Sequence, residues 1–193
     1  MNKKTSCIND KQFDEIINIL NNGSALGSIK PNKEISLILT ITGNCGLRIG
    51  DCLKLTMNSF IKEDNDYRYN IKEEKTKKLR SFVIPKEIYI MLQNHAISNE
   101  LSFNDRLFKY TERNIQKKLK KICEYLGDDY KDVSTHSFRK CAAMRIYRNS
   151  GNNIELTRKY LNHSSIAVTQ KYLNVDTEEV NNVIRNSVHI YTA

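Results

Sequence analysis

Tryptophan is absent from this sequence of 193 residues, which has only two prolines and seven glycines. So few turn-forming residues exclude a collagen-like chain and argue against low-complexity disorder. Long apolar runs are also missing, since the longest, such as residues 35–41, fall far short of the roughly 20 residues of a membrane-spanning helix. The basic amino terminus is followed by no apolar segment, which argues against a secretory signal. We therefore expect a cytoplasmic protein with no membrane partner.

Paired cysteines are missing as well. The five cysteines are an odd number at scattered positions: Cys7, Cys45, Cys52, Cys123 and Cys141. They form no Cys-x-x-Cys pair, and no histidine stands at zinc-finger spacing from them. This pattern argues against a disulfide framework and a structural zinc site. We expect neither a metal ion nor a cofactor.

What the sequence has is an excess of positive charge. The formal net charge is +9, the isoelectric point is about 9.3, and residues 61–121 alone carry +6. Clustered basic residues favour a polyanionic partner such as nucleic acid, although solvated basic faces are equally common.

Periodicity and capping signals predict a mainly helical protein with a small antiparallel β-hairpin, an α+β fold. The predicted helices cover residues 9–22, 33–42, 47–55, 86–97, 112–125, 136–148, 154–161 and 165–173, and a further helix is expected in the tail. Alternating residues predict strands at 67–71 and 82–84, joined by a turn with a cationic tip. The helix at 33–42 is apolar nearly all round, which is typical of a central core helix.

Two segments place histidine, arginine and tyrosine at regular spacing. His136 and Arg139 lie three residues apart at the predicted start of a helix, where they form an anion site on one face. His163 opens a turn, and Tyr172 follows nine positions later, after a short helix. The first pair alone is a weak indicator, because an exposed histidine and arginine at this spacing are common.

Residues 46–51 read GLRIGD. The order and spacing of this segment and the two segments above resemble those of the catalytic domain of the tyrosine recombinase, or phage integrase, family. The resemblance covers residues 9–174 and implies that family's fold. It implies a catalytic domain over residues 1–174 and a helical tail over residues 175–193, which docks on its own domain or is exchanged between protomers. No room exists before Asn9 for the family's amino-terminal helical domain, so we expect an isolated catalytic domain or a short member without that domain.

The first half of the resemblance concerns an arginine, a carboxylate and a lysine. The family's first arginine falls on Arg48, and its supporting acidic residue falls on Asp51. Without the family context, a solvated ion pair between the two is an equal alternative. The family's hairpin lysine, the general acid, most resembles Lys75, in a turn that holds three other lysines.

The second half concerns the carboxyl-terminal segments. The family's H-x-x-R box falls on His136 and Arg139, its late histidine on His163 and its nucleophile on Tyr172. Asn162 departs from the family's common Leu-Gly-His pattern and leaves the turn geometry open. The two arginines would hold a phosphate without a metal, His136 would accept the tyrosine proton, and Tyr172 would form a 3′-phosphotyrosyl bond.

The implied function is site-specific recombination of double-stranded DNA, as integration, excision or inversion. The family implies a homotetramer on two DNA sites, and a monomer in free solution is compatible with this. A nicking-closing enzyme like type IB topoisomerases, or a DNA-binding relative that does not cleave, stays open. Further basic residues are candidates for contacts with the DNA backbone: Lys77, Lys78, Lys117, Lys118, Lys120, Lys121 and Lys140.

Overall fold

The computed structural model describes residues 6–64 and 66–173. Its elements are α1 (Asp10–Asn22), α2 (Lys33–Cys45), α3 (Ile49–Cys52), β1 (Phe60–Glu63), β2 (Asp66–Lys72), β3 (Leu79–Ile84), α4 (Lys86–Ser98), α5 (Glu112–Leu126), α6 (Thr135–Asn149), α7 (Ile154–Leu161) and α8 (Ile166–Leu173). The predicted fold class, mainly α with a small antiparallel sheet, is confirmed. The predicted tail over residues 175–193 lies outside the described residues.

The core is built around α2, which packs most extensively against α6. Ile38 and Leu39 are fully buried on different sides of α2, as its nearly continuous apolar sequence predicts. The hydroxyl of Thr42, buried in the same helix, donates a hydrogen bond to the Ile38 carbonyl at 2.9 Å, which satisfies that polar group. Four of the five cysteines are buried, and all five have free thiols.

Gly46 ends α2 in the left-handed conformation, with φ of 59°. A Cβ atom at this position would lie 2.7 Å from ring atoms of Tyr160, so a side chain would meet both backbone strain and a clash. After this turn the Gly46 carbonyl accepts hydrogen bonds from the guanidinium groups of Arg80 and Arg139.

The sheet has three antiparallel strands in the order β1-β2-β3. Tyr69 lies at its centre, paired with Phe60 on one side and Phe82 on the other. Strand β1 was not predicted, because three of its four residues are exposed and the segment shows no alternation. The helix expected over residues 47–55 is limited to α3, because the N–H groups of Lys54 and Leu55 bond only three residues back, to the Asp51 and Cys52 carbonyls at 3.2 Å. The chain then leaves the helix, and the Leu55 carbonyl accepts a hydrogen bond from the Leu107 N–H at 2.9 Å.

Helices α7 and α8 pack on the outer side of α6 around a smaller apolar cluster. Its buried members are Ala143, Leu161 and Leu173, one from each helix. This packing holds the end of α7 and the end of α8 against the middle of α6. In the described part of the chain, no helix has the length and apolar character needed to cross a bilayer.

Candidate active site

One cleft of about 380 Å³ contains every residue that the sequence predicted to be catalytic. They come from the start of α3, the β2–β3 turn, the start of α6, the turn after α7, and α8: Arg48, Lys75, His136, Arg139, His163 and Tyr172. The fold thus brings together side chains from five separate segments.

Arg139 is buried at the base of this cleft, with 2% of its surface exposed. Its Nη1 donates to the Gly46 carbonyl at 2.6 Å and its Nη2 to the Leu161 carbonyl at 2.8 Å. Both carbonyls lie at helix ends, where no helical N–H is available to bind them. Burial and the nearby Arg80 charge lower the pKa of Arg139 to about 10, so the guanidinium stays protonated at neutral pH. Two fixed bonds therefore set its orientation.

Arg48 lies at the amino-terminal end of α3 and forms two ion pairs. Its Nη1 is 2.8 Å from Oε2 of Glu73 and 3.8 Å from Oδ2 of Asp51. The predicted pair with Asp51 is thus the longer of the two. Asp51 also accepts a hydrogen bond from the Glu74 N–H at 2.8 Å, so it joins α3 to the base of the β2–β3 turn.

Glu73 is a residue that sequence reasoning missed. It is fully buried, although it stands at the start of a turn whose tip we predicted to be cationic. Burial alone raises the pKa of Glu73, but the hydrogen bond from Thr76 and the charges of Arg48 and Arg80 outweigh it and hold the pKa below its usual value. The signal in the sequence was a pair of glutamates, Glu73 and Glu74, among four lysines, and it does not show which of the two is buried.

Arg80 is the second missed residue, and only 1% of its surface is exposed. Its guanidinium donates to the carbonyls of Gly46, Cys45 and Tyr160 at 2.9, 3.1 and 2.7 Å. Its Nη1 lies 3.5 Å from Oε1 of Glu73. The signal was alternation along β3, where residues 80, 82 and 84 point inward, but the predicted strand began at residue 82.

The two histidines have lowered pKa values. Desolvation, followed by the charges of Arg139 and Arg48, lowers the pKa of His163 to about 4, and the same causes lower that of the more exposed His136. Both rings are therefore mainly neutral at pH 7. Nδ1 of His163 lies 3.1 Å from the Thr169 hydroxyl. The same hydroxyl lies 3.4 Å from the Ser165 carbonyl, a longer contact. When it donates to Nδ1 across the shorter contact, the ring proton of His163 is on Nε2 and is available for a further hydrogen bond.

Tyr172 packs edge-to-face on His163, with ring centroids 5.2 Å apart. Desolvation raises the pKa of its phenol, and the Arg139 charge opposes the increase. Its Oη is buried, and within the described residues it makes no hydrogen bond of good geometry. A buried hydroxyl without a partner is uncommon in folded proteins, and it leaves this oxygen available to a ligand in the cleft.

The candidate DNA-binding lysines occupy two surfaces. Lys78 lines the cleft with Lys75, and the ammonium group of Lys140 lies 5.6 Å from the centroid of the Tyr172 ring. Lys77 is exposed in the β2–β3 turn. The remaining four lie on α5, where Lys117, Lys120 and Lys121 are exposed and Lys118 donates to the Lys30 carbonyl at 2.5 Å. Within residues 6–64 and 66–173, no group of three or more His, Cys, Asp or Glu side chains is placed to hold a metal ion.

Comparisons with known proteins show the family to which the chain belongs. The sequence model of the phage integrase family matches residues 7–179. A protein of Bacillus subtilis strain 168, the probable integrase/recombinase YoeC, is 26% identical over 157 residues, which are 78% of this chain and 82% of that protein.

Solved structures show the same fold. The XerH site-specific recombinase, in a post-cleavage complex with a palindromic difH substrate, gives a TM-score of 0.71 at 20% identity and covers 95% of this chain. The match takes in 53% of that protein, so this chain spans about half its length. The catalytic domain of bacteriophage HP1 integrase gives a TM-score of 0.65 at 19% identity, over 95% of this chain and 96% of that domain.

The family expected from the order and spacing of the site residues is therefore confirmed, and with it the class of enzyme, the tyrosine-type site-specific recombinases. The chain belongs to the phage integrase family.

Proposed function

We propose that this protein cleaves and rejoins double-stranded DNA at specific sites through a 3′-phosphotyrosyl intermediate. The observation that carries the proposal is the buried hydroxyl of Tyr172, which makes no well-formed hydrogen bond to the described residues and lies in the same cleft as two oriented guanidinium groups. The family match supports it, as do DNA complexes of relatives such as XerH with its difH substrate.

In the proposed reaction, Arg48 and Arg139 hold the scissile phosphate. A guanidinium has five N–H donors, and Arg139 uses two of them on backbone carbonyls. The remaining donors can bind the non-bridging oxygens, where negative charge increases as phosphorus is attacked. Because Arg139 is already oriented, little reorganisation is needed when the substrate binds.

Tyr172 is the proposed nucleophile, and His136 is the proposed proton acceptor. The raised pKa of the phenol means that it is protonated at neutral pH, so attack requires removal of its proton. His136 is suited to this role because its lowered pKa leaves the ring unprotonated at pH 7. The bond from Oη to phosphorus forms as the proton passes to His136, and His163 binds a non-bridging oxygen.

Lys75 is the proposed general acid. The bond from phosphorus to the 5′ oxygen breaks, and this alkoxide is a poor leaving group unless it receives a proton. Lys75 lies exposed at the mouth of the cleft and can supply that proton. The phosphotyrosyl bond conserves the energy of the broken bond, so a second 5′ hydroxyl can reseal the strand without a nucleotide cofactor.

The proposed partner is double-stranded DNA, bound through Lys77, Lys78, Lys140 and the exposed lysines of α5 at its phosphates. Strand exchange between two sites requires four active sites, so we propose a homotetramer on two DNA sites and a monomer in free solution. Since its substrate is the DNA of the cell, we place the protein in the cytoplasm.

The test is detection of a covalent adduct. Purified protein is incubated with duplex fragments of the DNA that flanks its gene, and SDS-resistant protein–DNA species are measured for the wild type, for Tyr172→Phe and for the exposed control Tyr125→Phe. We expect an adduct with the wild type and the control and none with Tyr172→Phe. Salt-sensitive binding without an adduct would contradict the proposal. Cleavage and resealing without exchange between two sites would indicate a topoisomerase-like activity instead.

A further inference from the structure

We propose that Glu73 is a positioning residue for the general acid: its buried carboxylate fixes the β2–β3 turn that carries Lys75 relative to Arg48 and to the turn before His163. The inference rests on the proposed function of Lys75.

The burial of Glu73 sets it apart from its neighbours. Glu74, Lys75, Lys77 and Lys78 in the same turn are all exposed, whereas Glu73 is fully buried. A buried carboxylate is costly unless charged and hydrogen-bonding groups compensate for its lost hydration. The chain therefore keeps this acidic side chain inside only because a set of partners surrounds it.

Those partners come from separate segments of the active site. Oε2 of Glu73 lies 2.8 Å from Nη1 of Arg48, accepts a hydrogen bond from the Thr76 hydroxyl at 2.6 Å, and accepts one from Nδ2 of Asn162 at 3.3 Å. Oε1 lies 3.5 Å from Nη1 of Arg80. One carboxylate thus joins the start of α3, the β2–β3 turn, strand β3 and the turn after α7.

The backbone of Glu73 also closes the turn around Lys75. Its N–H donates to the Lys78 carbonyl and its carbonyl accepts from the Lys77 N–H, both at 3.0 Å. The Thr76 hydroxyl accepts weakly from the Lys78 N–H at 3.4 Å while it donates to Glu73. Lys75 precedes Thr76 directly, so the bond between Thr76 and Glu73 determines where the lysine side chain leaves the turn.

Asn162 extends this connection to the histidine turn. It ends α7 in the left-handed conformation, with φ of 57°, which glycine adopts without strain. Its amide group donates to Glu73 and, at 3.4 Å, to the Leu79 carbonyl. A glycine could form the turn but could not make these bonds. The departure from Leu-Gly-His therefore adds a contact between the hairpin and the residue before His163.

Charge balance also requires Glu73. Three guanidinium groups, those of Arg48, Arg80 and Arg139, converge on the region around the Gly46 carbonyl and the cleft. The described carboxylates that pair with them are Glu73 and Asp51. Loss of the Glu73 charge would leave the buried Arg80 and the partly buried Arg48 with less compensation and would free the turn.

The experiment separates proton donation from the other steps by changing the leaving group. Cleavage is measured on a duplex that carries either the natural 5′ oxygen or a 5′ bridging sulfur at the scissile phosphate. A thiol has a pKa near 8.5, so a thiolate leaves without a proton. The variants are Glu73→Gln and Thr76→Val. The second keeps the shape of the side chain and removes the hydroxyl that donates to Glu73 at 2.6 Å and accepts weakly from the Lys78 N–H at 3.4 Å. Glu74→Gln, an exposed neighbour paired with Lys54 at 2.7 Å, is the matched control.

We expect Glu73→Gln and Thr76→Val to slow cleavage of the oxygen substrate by about 10- to 100-fold, and that of the sulfur substrate by about 3-fold or less. Glu74→Gln should leave both rates unchanged. Equal slowing of both substrates, or no slowing of either, would overturn the positioning role. If Glu73→Gln does not fold, Thr76→Val decides alone.

Lys75→Ala provides the reference for both proposals. Its defect should be relieved by sulfur, and failure of that rescue would overturn the assignment of Lys75 and with it the role of Glu73. A wild-type protein that cleaves neither substrate would instead contradict the proposed function itself. A wild type that cleaves both substrates, with equal slowing by Glu73→Gln, would contradict only the positioning role.

Discussion

The base of the cleft and the exposed face of α5 both carry positive charge, but they hold it in different ways. Arg139 and Arg80 are almost fully buried, and each donates to at least two backbone carbonyls. Lys117 and Lys121 are exposed, and Lys120 forms only a 3.6 Å pair with Glu124. Fixed arginines suit the directional binding of one phosphate, whereas exposed lysines suit attraction to a polyanion without a fixed geometry.

The largest effect should come from a change that keeps the charge but removes the fixed geometry. Arg139→Lys retains a cation but loses the planar group that binds the Gly46 and Leu161 carbonyls while it faces the phosphate. We expect the rate of adduct formation to fall by about 100- to 1000-fold. Arg113→Lys, an exposed arginine on α5, is the control and should be neutral. Near-normal activity of Arg139→Lys would show that charge alone is sufficient in the cleft.

The dependence of folding stability on pH should also distinguish the cleft, where His163 is buried beside arginines, from the exposed face of α5. The folded-state pKa of His163 is about 4, below the ordinary value of 6.5, so the unfolded chain binds a proton more readily. The contribution of the neutral His163 to the free energy of unfolding is fully present above about pH 6.5 and is lost as the pH falls towards 4. The total loss is roughly 3 kcal/mol.

This prediction is checked by urea unfolding of the wild type and of His163→Gln between pH 7 and pH 4. The variant should lose less stability over that interval than the wild type, because it has no proton to bind at this position. Parallel curves would mean that burial and the arginines beside His163 do not keep it neutral.

The exposed lysines should have the smallest effect on chemistry and a clear effect on binding. Changing Lys117, Lys120 and Lys121 together to glutamine should reduce the slope of log affinity against log salt by up to about 3, at roughly 0.9 for each phosphate that is no longer neutralised. Cleavage of bound DNA should be unchanged. The same number of changes at exposed positions on other helices, Lys11, Lys33 and Lys86, is the control for net charge. Equal effects from both sets would show that α5 is not a DNA surface.

The sequence predicted the fold class and the grouping of the site better than it predicted the supports of that site. Five of the cleft residues could be found because their order and spacing resemble those of the tyrosine recombinase family, on helices and turns that are visible in the local pattern. Lys75 could be found only as one lysine among several, since the pattern shows the hairpin but not which side chain faces the cleft.

The missed residues depend on interactions between distant segments. Glu73 and Arg80 are charged residues in or beside an apparently exposed turn, and only their long-range partners explain their burial. The helix expected over residues 47–55 was too long, because Lys54 and Leu55 bond three residues back and the chain then turns towards Leu107, which the local pattern of apolar residues does not show. The open question at Asn162 is answered by its left-handed backbone, which takes the conformation expected of glycine.

The central claim is that Tyr172 attacks the scissile phosphate. The most direct measurement is mass spectrometry of the protein–DNA adduct after digestion with protease and nuclease. We predict one modified peptide, with a 3′-linked nucleotide on Tyr172 and a free 5′ hydroxyl on the released DNA. A nucleotide on another residue, or a 5′-linked nucleotide on Tyr172, would contradict the account.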